Sequence, residues 1–505
     1  MATRAFSDKV QLKDPSLFRD KSLINNQWVA SPSGATFQVD DPATLRIIGS
    51  LPELTATDTE EAVAAATRAF ESWRLTSTRT RYGLLMKWRD LMYENLDDLA
   101  AILTLENGKA KGEIKYAASF LEWFAEEAKR IEGDILASPV ASQRLMVIKQ
   151  PIGPVALLTP WNFPAAMITR KVGAALAAGC TAVIKPAAET PYSALALGEL
   201  ALRAGIPEGV VNIVTTNANL SEISLKLTTH PAIKKVSFTG STRIGQLIMK
   251  QSASTLKKLS LELGGNASFI VFEDADIDQA VEGAISTKFR NNGQTCVCAN
   301  RFYIHDSIYD TFAERFSAKV EALRVGNGFA PGVQLGPLIH QGAVAKVRHQ
   351  IRDAVAKGAR VVTGGQARPT PGDGGENGGD DGSPKIEGNF FEPTVLVDVS
   401  TDMFVHSEET FGPVAPLFRF HDEAQVVQWA NDCDVGLASY FYTRDLSRAW
   451  RVAEQLETGM VGVNTGNISM DAAPFGGVKQ SGFGREGSKY GIAEYLNIKY
   501  INMNV

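Results

Sequence analysis

Between residues 153 and 272, short apolar runs alternate with segments of helical pattern, and this alternation constrains the fold more than any other feature. The runs predict six strands: VALL (155–158), AVI (182–184), VNIV (211–214), VSF (236–238), LSL (259–261) and FIVF (269–272). Strands that alternate with helices of this length form βαβ units and a parallel sheet with helices on both faces. A second alternation from about 300 to 465 predicts a further region of the same α/β class.

Helical pattern also covers residues 57–107. Thr57 and Glu60 predict a capping box at the start of a first helix. A second helix is expected to end near Gly108, because glycine readily takes the left-handed conformation that ends helices.

Two segments differ from their surroundings. Residues 136–150 predict a two-stranded ribbon that precedes the sheet. Residues 366–389 are rich in Gly, Pro and Asp, and they predict a surface loop with no catalytic part because they offer little to bury.

Length and composition narrow the class of protein. The 505 residues correspond to roughly three compact units. With 44% apolar and 21% charged residues the chain is of ordinary globular composition. The 51 basic and 56 acidic residues give a net charge of −5, so we expect no nucleic-acid partner.

Location and metal content follow from a few residue types. No run of 18 apolar residues predicts a membrane span, and the N-terminus lacks the apolar segment of a signal peptide. Four cysteines are too few for a disulfide framework. We therefore expect a cytoplasmic protein. The six histidines do not fall at metal-ligand spacing, so no metal site is expected.

Polar residues follow four of the predicted strands. Asn162, Lys185, the pair Gly240 and Ser241, and Glu262 come after the first, second, fourth and fifth strand. Ligands of open parallel sheets bind at the carboxyl ends of the strands. Gly240 and Ser241 alone could be an ordinary helix N-cap. Together with the other three ends they predict a nucleotide site, with pyrophosphate at the helix N-terminus.

The pattern G-x-G-x-x-G occurs at residues 482–487. It follows a turn-rich stretch, whereas a dinucleotide-binding loop follows a buried strand. We therefore reject it as a phosphate loop.

Cys296 is the candidate nucleophile, because it follows Gly-Gln-Thr among polar residues. Cys180 and Cys433 fit better as small buried side chains. No histidine pairs with Cys296, whereas Glu262 in an apolar segment could act as a base whose pKa burial raises. The alternative for Glu262 is a salt-bridged carboxylate at a strand end.

Five segments together resemble the aldehyde dehydrogenase superfamily: WNFP (161–164), FTGS (238–241), LELGG (261–265), GQTC (293–296) and EETFGP (408–413). The resemblance implies a Rossmann-like cofactor domain, an α/β catalytic domain and a small β-ribbon for oligomerisation. The implied bounds are 1–131 and 150–263, then 264–476, and finally 132–149 with 477–505. A homodimer or homotetramer is implied, with a small aldehyde as substrate.

The resemblance also implies roles for single residues. Cys296 is the nucleophile, Glu262 the general base and Asn162 the oxyanion-hole amide. A thiohemiacetal on Cys296 loses hydride to NAD or NADP, and water activated by Glu262 hydrolyses the thioester. The implied cofactor contacts are Trp161, Lys185, Ala188, Gly240, Ser241, Leu263, Glu409 and Phe411.

Within the superfamily, residues 288–301 and 475–491 are similar to succinate-semialdehyde dehydrogenases. That similarity implies a clamp of Arg170, Arg290 and Ser469 on the distal carboxylate of the substrate. Cys298 matches a cysteine that forms a reversible disulfide with the nucleophile in some relatives, and a spare thiol is an equal alternative. Ala188 stands where NAD-preferring relatives often carry Glu, which leaves the cofactor preference open.

Two other functions stay open at this point. The first is another semialdehyde or broad-specificity aldehyde dehydrogenase on the same scaffold. The second, of a different class, is a thiol hydrolase that needs no redox cofactor.

Overall fold

The computed structural model describes residues 11–109, 112–366 and 388–505. Residues 367–387, most of the predicted loop at 366–389, lie outside the described residues. The helices are α1 (Ala56–Trp73), α2 (Thr78–Glu94), α3 (Leu96–Asn107), α4 (Glu113–Ala128), α5 (Ala166–Ala178), α6 (Pro191–Ala204), α7 (Leu220–Thr229), α8 (Thr242–Ser252), α9 (Ile277–Phe289), α10 (Tyr309–Glu321), α11 (Gln341–Ala356), α12 (Phe404–Ser407), α13 (Glu423–Asn431), α14 (Leu446–Gln455) and α15 (Ser488–Ala493).

The strands are β1 (Ser22–Ile24), β2 (Gln27–Val29), β3 (Thr36–Asp40), β4 (Ile47–Pro52), β5 (Asp134–Leu136), β6 (Gln143–Pro151), β7 (Val155–Leu158), β8 (Ala182–Lys185), β9 (Val211–Ile213), β10 (Lys235–Thr239), β11 (Lys258–Glu262), β12 (Ala267–Val271), β13 (Ala299–His305), β14 (Arg360–Thr363), β15 (Thr394–Val397), β16 (Val414–Phe420), β17 (Val435–Gly436), β18 (Ala438–Tyr442), β19 (Met460–Val463), β20 (Val478–Lys479), β21 (Gly482–Phe483) and β22 (Leu496–Asn504).

The first sheet has the order β2-β1-β9-β8-β7-β10-β11-β21. Its five middle strands are parallel, as the alternating pattern predicts. The chain moves from β7 outward through β8 to β9, and then returns to the other side of β7 for β10 and β11. The strand order therefore reverses between β7 and β10, and such a switch point is where open α/β sheets bind ligands.

The second sheet has the order β14-β15-β16-β13-β12-β18-β19 and is parallel except for β14. The sixth predicted strand, β12, is present but lies in this sheet and not in the first. The short link 263–266 between β11 and β12 carries the chain from one sheet to the other. The α/β class with two parallel-sheet regions is thus confirmed.

The ribbon at 136–150 has three strands, one more than the local pattern predicts. β5 and β6 pair antiparallel, and β22 pairs along the other side of β6 from Leu496 opposite Pro151 to Asn504 opposite Gln143. The third strand comes from a distant part of the chain, as the family resemblance implies. The domain boundaries themselves stay a prediction.

The helical region 57–107 contains three helices. The predicted capping box at Thr57 and Glu60 is wrong, because Thr55 and Asp58 form it two residues earlier. The second helix ends at Glu94. The end predicted near Gly108 belongs to α3, which stops there with a glycine φ of +79°.

Helix α5 is buried on all sides, as expected for a helix without a polar face. It nevertheless carries Arg170 and Lys171, which are 2% and 1% exposed. Charged side chains are almost never fully buried unless they are paired. These two residues therefore mark the place where the interior of the protein is built around charge.

Candidate active site

Cys296 lies in the connection between α9 and β13, behind a tight turn. Asn291, Asn292 and Gly293 all have positive φ angles, of 51°, 55° and 76°. A Cβ at Gly293 would lie 2.2 Å from the backbone oxygen of Gly412, so this turn requires glycine. The turn presents the Cys296 side chain, 8% exposed, to a cavity that also reaches the exposed Arg290.

Glu262 faces Cys296 from the end of β11. The Cys296 thiol donates to Glu262 Oε1 across 3.5 Å. Thr239, paired with Glu262 at the end of β10, donates to the other carboxylate oxygen at 3.2 Å. The structure thus brings the predicted nucleophile and base into contact.

Gly265 makes this approach possible. A Cβ at Gly265 would lie 2.6 Å from the backbone oxygen of Cys296, and real Cβ atoms do not come so close. The link between the two sheets therefore packs directly against the segment that holds the thiol.

Buried charge surrounds the Glu262 carboxylate. Burial raises its pKa to about 6, and the neighbouring Glu486 carboxylate raises it as well, while Arg170 and Lys171 lower it. Arg170 Nη1 lies 3.8 Å from Glu262 and 3.4 Å from Glu486. Lys171 forms an ion pair with Glu486. A carboxylate with a pKa near 6 is well suited to accept a proton near neutral pH.

The surroundings of Cys296 strongly disfavour ionisation of its thiol. Burial and the adjacent Glu262 carboxylate raise its pKa well above the ordinary value, against a lowering by Arg170. The thiol therefore keeps its proton, and the bond described above directs that proton at the Glu262 carboxylate.

Asn162 lies in the turn between β7 and α5, with its side chain directed toward the Cys296 segment. Its Nδ2 donates to the backbone oxygen of Gln294 at 3.2 Å, two residues before Cys296. Lys109 and Asn291 both donate to the Asn162 backbone oxygen. The amide is thus held in place beside the nucleophile, where an oxyanion donor is needed.

The cofactor side of the site begins at α8. Ser241 occupies the N-cap position, but its side chain makes no capping hydrogen bond. The helix therefore starts at the switch point with backbone N–H groups that no side chain caps, which suits a pyrophosphate. Gly240 precedes it, and a Cβ there would collide with the Phe238 ring at 2.4 Å.

Lys185, at the end of β8, is buried and its ammonium makes no hydrogen bond or ion pair within the described part of the chain. Burial lowers its pKa to about 8, and the nearby Glu189 and Glu53 oppose that shift. A buried ammonium without a partner fits the hydroxyl or phosphate oxygens of a nucleotide. Ala188 lines an adjoining polar cavity with Glu189 and Asn217.

The remaining predicted cofactor residues are Trp161, Leu263, Glu409 and Phe411. Glu409 accepts from the Gly265 N–H at 3.2 Å, and burial raises its pKa to about 7. Phe411, with φ +54°, packs edge-to-face on Trp161 with ring centroids 5.5 Å apart. Leu263 is buried at the end of β11. A Cβ at Gly264 would lie 3.0 Å from the Glu409 carboxylate and 3.3 Å from the Thr242 hydroxyl, so Glu409 lies near the start of α8.

The three predicted substrate residues line the same cavity as Cys296. The lining consists of Tyr116, Phe163, Met167, Arg170, Arg290, Thr295, Cys296, Val297, Ser469 and Phe475. Arg170 Cζ lies 4.9 Å and 4.5 Å from the ring centroids of Phe120 and Phe475, so both rings make cation–π contacts with it.

Arg290 differs from Arg170, because it is exposed and no carboxylate pairs with it among the residues described. Its Cζ lies 4.9 Å from the Phe163 ring centroid. Ser469, on the loop after β19, is half-buried. The wall of the cavity thus carries the Cys296 sulfur and, at Arg290, a cation that no carboxylate of the described residues pairs with.

Cys298 is buried, and its thiol donates to the Lys288 backbone oxygen on α9 at 3.3 Å. It is absent from the cavity lining described above, and all four cysteines are free. A redox role for Cys298 stays a prediction.

Three contributing residues escaped the sequence interpretation: Tyr116, Lys171 and Glu486. Glu486 lies inside the rejected G-x-G-x-x-G segment, whose strand β21 pairs antiparallel with β11 and is not a buried parallel strand. Lys171 could have been noticed in the sequence, because a lysine is unusual in a segment as apolar as α5. Nothing in the local sequence marks Tyr116.

In the part of the chain that the structure describes, no helix has the length and apolar character to cross a membrane.

Comparison with known proteins assigns the class. The model of the aldehyde dehydrogenase family matches residues 28–501. The chain therefore belongs to the aldehyde dehydrogenase family, and it is an enzyme of that family with the corresponding fold.

Individual relatives are similar over nearly their whole length. A glutarate-semialdehyde dehydrogenase of Pseudomonas putida is 57% identical over 500 residues, which cover 98% of this chain and 100% of the relative. An NADP(+) succinate-semialdehyde dehydrogenase of Escherichia coli is 56% identical, with 97% and 99% covered. The crystal structure of succinate-semialdehyde dehydrogenase from Burkholderia pseudomallei has a TM-score of 0.94 at 54% identity, with 98% and 100% covered.

Proposed function

We propose that this enzyme oxidises a short semialdehyde that ends in a carboxylate, with NAD or NADP as hydride acceptor. The observation that carries the proposal is a single cavity that is lined by Cys296, Arg170, Arg290 and Ser469. A molecule with an aldehyde at one end and a carboxylate at the other fits this lining, because Cys296 can react with the aldehyde while the arginines and Ser469 bind the carboxylate. Arginine suits the carboxylate because its planar fork pairs bidentately.

The residues act in sequence on the aldehyde. Cys296 sulfur adds to the carbonyl carbon as its proton passes to the Glu262 carboxylate, which releases that proton to solvent before hydrolysis. The Asn162 amide and the Cys296 backbone N–H stabilise the oxyanion. The bound nicotinamide cofactor supplies the hydride acceptor. Glu262 then takes a proton from water that attacks the thioester, and the acid leaves as the thiol forms again.

Cofactor binding is proposed on three features. The open N-terminus of α8 would hold the pyrophosphate, and the buried Lys185 would hold ribose or phosphate oxygens. Ala188 places no negative charge against a 2′-phosphate, so either cofactor is expected to bind. Trp161, Leu263, Glu409 and Phe411 would surround the nicotinamide end.

Succinate semialdehyde is the leading substrate. Glutarate semialdehyde, one methylene longer, is the second candidate, because the Pseudomonas putida relative carries that name. One methylene is worth only about tenfold to a few hundredfold in discrimination, so one enzyme can oxidise both at measurable rates.

A homo-oligomer is proposed from the three-stranded ribbon. Ile135, Ile498 and Tyr500 on it are 83%, 75% and 56% exposed. Large apolar side chains exposed together are typical of a protein interface. We propose a dimer or tetramer in the cytoplasm.

The test is a kinetic comparison of matched aldehydes, followed through the absorbance of the reduced cofactor. Succinate and glutarate semialdehydes are compared with butanal and pentanal, each with NAD and with NADP. A charge-assisted clamp worth about 1.5–3 kcal/mol gives the semialdehydes a kcat/KM advantage of roughly tenfold to a hundredfold. Equal kcat/KM values for charged and uncharged aldehydes would overturn the substrate assignment. Cys296→Ala is the control, and cofactor reduction that survives in it would overturn the mechanism.

A further inference from the structure

Tyr116 on α4 stands between the two arginines of the cavity. Its hydroxyl oxygen accepts a hydrogen bond from Arg170 Nη2 at 2.8 Å. Its ring centroid lies 5.6 Å from the Arg290 guanidinium carbon. One side chain thus contacts both cations, and it lines the cavity together with Cys296.

Arg170 uses its two ends differently. The Nη1 end lies near the carboxylates of Glu262 and Glu486, at 3.8 Å and 3.4 Å. The Nη2 end is held by Tyr116. Part of the Arg170 charge is therefore already balanced on the side of the reacting pair, and Tyr116 occupies the other side.

The proton of the Tyr116 hydroxyl has no acceptor in the described part of the chain. The Tyr116 side chain is half-buried, and within the described residues its hydroxyl only accepts, from Arg170, although a tyrosine hydroxyl in a protein interior normally donates as well. Burial raises the pKa of Tyr116, so the group keeps its proton. The residues that line the cavity include two arginines and no carboxylate, so the lining offers this proton no carboxylate acceptor, and a substrate carboxylate bound there would supply one.

We propose that Tyr116 is a specificity-determining residue of this site, whose hydroxyl donates a hydrogen bond to the distal carboxylate of the substrate. Its oxygen and ring at the same time hold Arg170 and Arg290 in position. The inference rests on the proposed function, because it requires a substrate that carries a carboxylate. It adds a neutral donor to the two cations and the serine.

Tyr116→Phe tests the inference, because it removes one oxygen and keeps the ring beneath Arg290. A hydrogen bond to a charged group is worth about 1.5–3 kcal/mol, so kcat/KM for succinate semialdehyde should fall roughly tenfold to a hundredfold. The loss should appear in KM, with kcat changed little, and the values for butanal should stay within about twofold. Competitive inhibition by glutarate, which cannot react, should weaken by a similar factor.

Tyr93→Phe is the matched control, since it removes an exposed tyrosine hydroxyl on α2. It should leave all constants unchanged. An equal loss for succinate semialdehyde and butanal in Tyr116→Phe would overturn the inference, and so would unchanged selectivity. A wild-type enzyme that fails to prefer the semialdehyde would instead overturn the proposed function, so the two failures are distinct.

Discussion

The reacting pair and the open side of the cavity are built in opposite ways. Next to Cys296, the buried side chains of Glu262, Arg170, Lys171 and Glu486 form a network of paired charges. At Arg290 the guanidinium is exposed, and among the described residues no carboxylate pairs with it. In the first region the protein pairs its charges with one another. In the second, Arg290 has no carboxylate partner among the described residues.

The difference reflects what each region has to do. Chemistry on an aldehyde carbon needs groups that are in place before the substrate arrives, because reorganisation during the reaction raises the barrier. Recognition of a carboxylate needs a cation that is free to pair with it. An Arg290 paired with a carboxylate of the protein would have to give up that ion pair to bind the substrate, whereas the charges of Glu486, Arg170 and Lys171 shift the pKa of Glu262 before any substrate is present.

The largest effect is expected in the reacting region. Glu262→Gln keeps the shape of the side chain but cannot take a proton from water. The steady-state rate should fall roughly 10²–10⁴-fold, the usual contribution of a general base. Rapid-mixing measurements should still show a first burst of about one equivalent of reduced cofactor per active site, because hydride leaves before hydrolysis. The burst should form more slowly than in the wild type, because Glu262 also accepts the Cys296 proton. A variant that releases acid at the full rate would remove Glu262 from the mechanism.

A smaller and more selective effect is expected at the open side. Arg290→Met keeps a long side chain and removes the charge. KM for succinate semialdehyde should rise roughly tenfold to a hundredfold, while KM for butanal stays within about twofold. The matched control is Arg348→Met, an exposed arginine on α11. Equal losses for both aldehydes would show that Arg290 supports the fold and does not read the carboxylate.

Sequence reasoning could find the reacting pair because parallel strands end at one edge. Asn162, Lys185 and Glu262 follow strand ends in the sequence, and the parallel pairs Leu158–Lys185 and Thr239–Glu262 place those ends at one edge of the sheet. The roles of these residues stay a prediction. Cys296 came from its local context. The roles of the cofactor and substrate residues came from the resemblance, since no local pattern states them.

The errors have physical causes that the sequence does not contain. Thr55 with Asp58 and Thr57 with Glu60 both satisfy the capping-box pattern. The Leu54 N–H is bonded to the Thr215 backbone oxygen, which keeps the chain extended until Thr55 and selects the earlier box. That bond depends on tertiary structure.

Glu486 and Tyr116 could not be found for a related reason. Glu486 reaches the site from the far end of the chain, in a stretch whose glycines imitate a phosphate loop. Tyr116 belongs to α4, which precedes all the parallel strands of the first sheet. Side chains that come from outside the sheet can be placed only after packing is known.

The smallest expected effect is a shift in the pH dependence of kcat, which tests the paired charges around Glu262. Burial and Glu486 raise the Glu262 pKa to about 6, and a general base works only when it is deprotonated. kcat should therefore increase about tenfold per pH unit below 6 and level off above it. Glu486→Gln removes a negative neighbour and frees the charges of Arg170 and Lys171, and both changes favour ionised Glu262. The midpoint of the kcat profile should move to lower pH.

The position of that midpoint separates Glu262 from Glu409, the other buried carboxylate of the site, whose pKa burial raises to about 7. Glu486 is not among the groups that shift the Glu409 pKa, so a profile governed by Glu409 would not move in Glu486→Gln. Glu454→Gln, at an exposed glutamate on α14, is the matched control and should leave the midpoint unchanged. A midpoint that stays in place or rises in Glu486→Gln would mean that the network of paired charges does not set the basicity of Glu262. The proposed difference between the paired charges around Glu262 and the exposed Arg290 would then lose its support at Glu262.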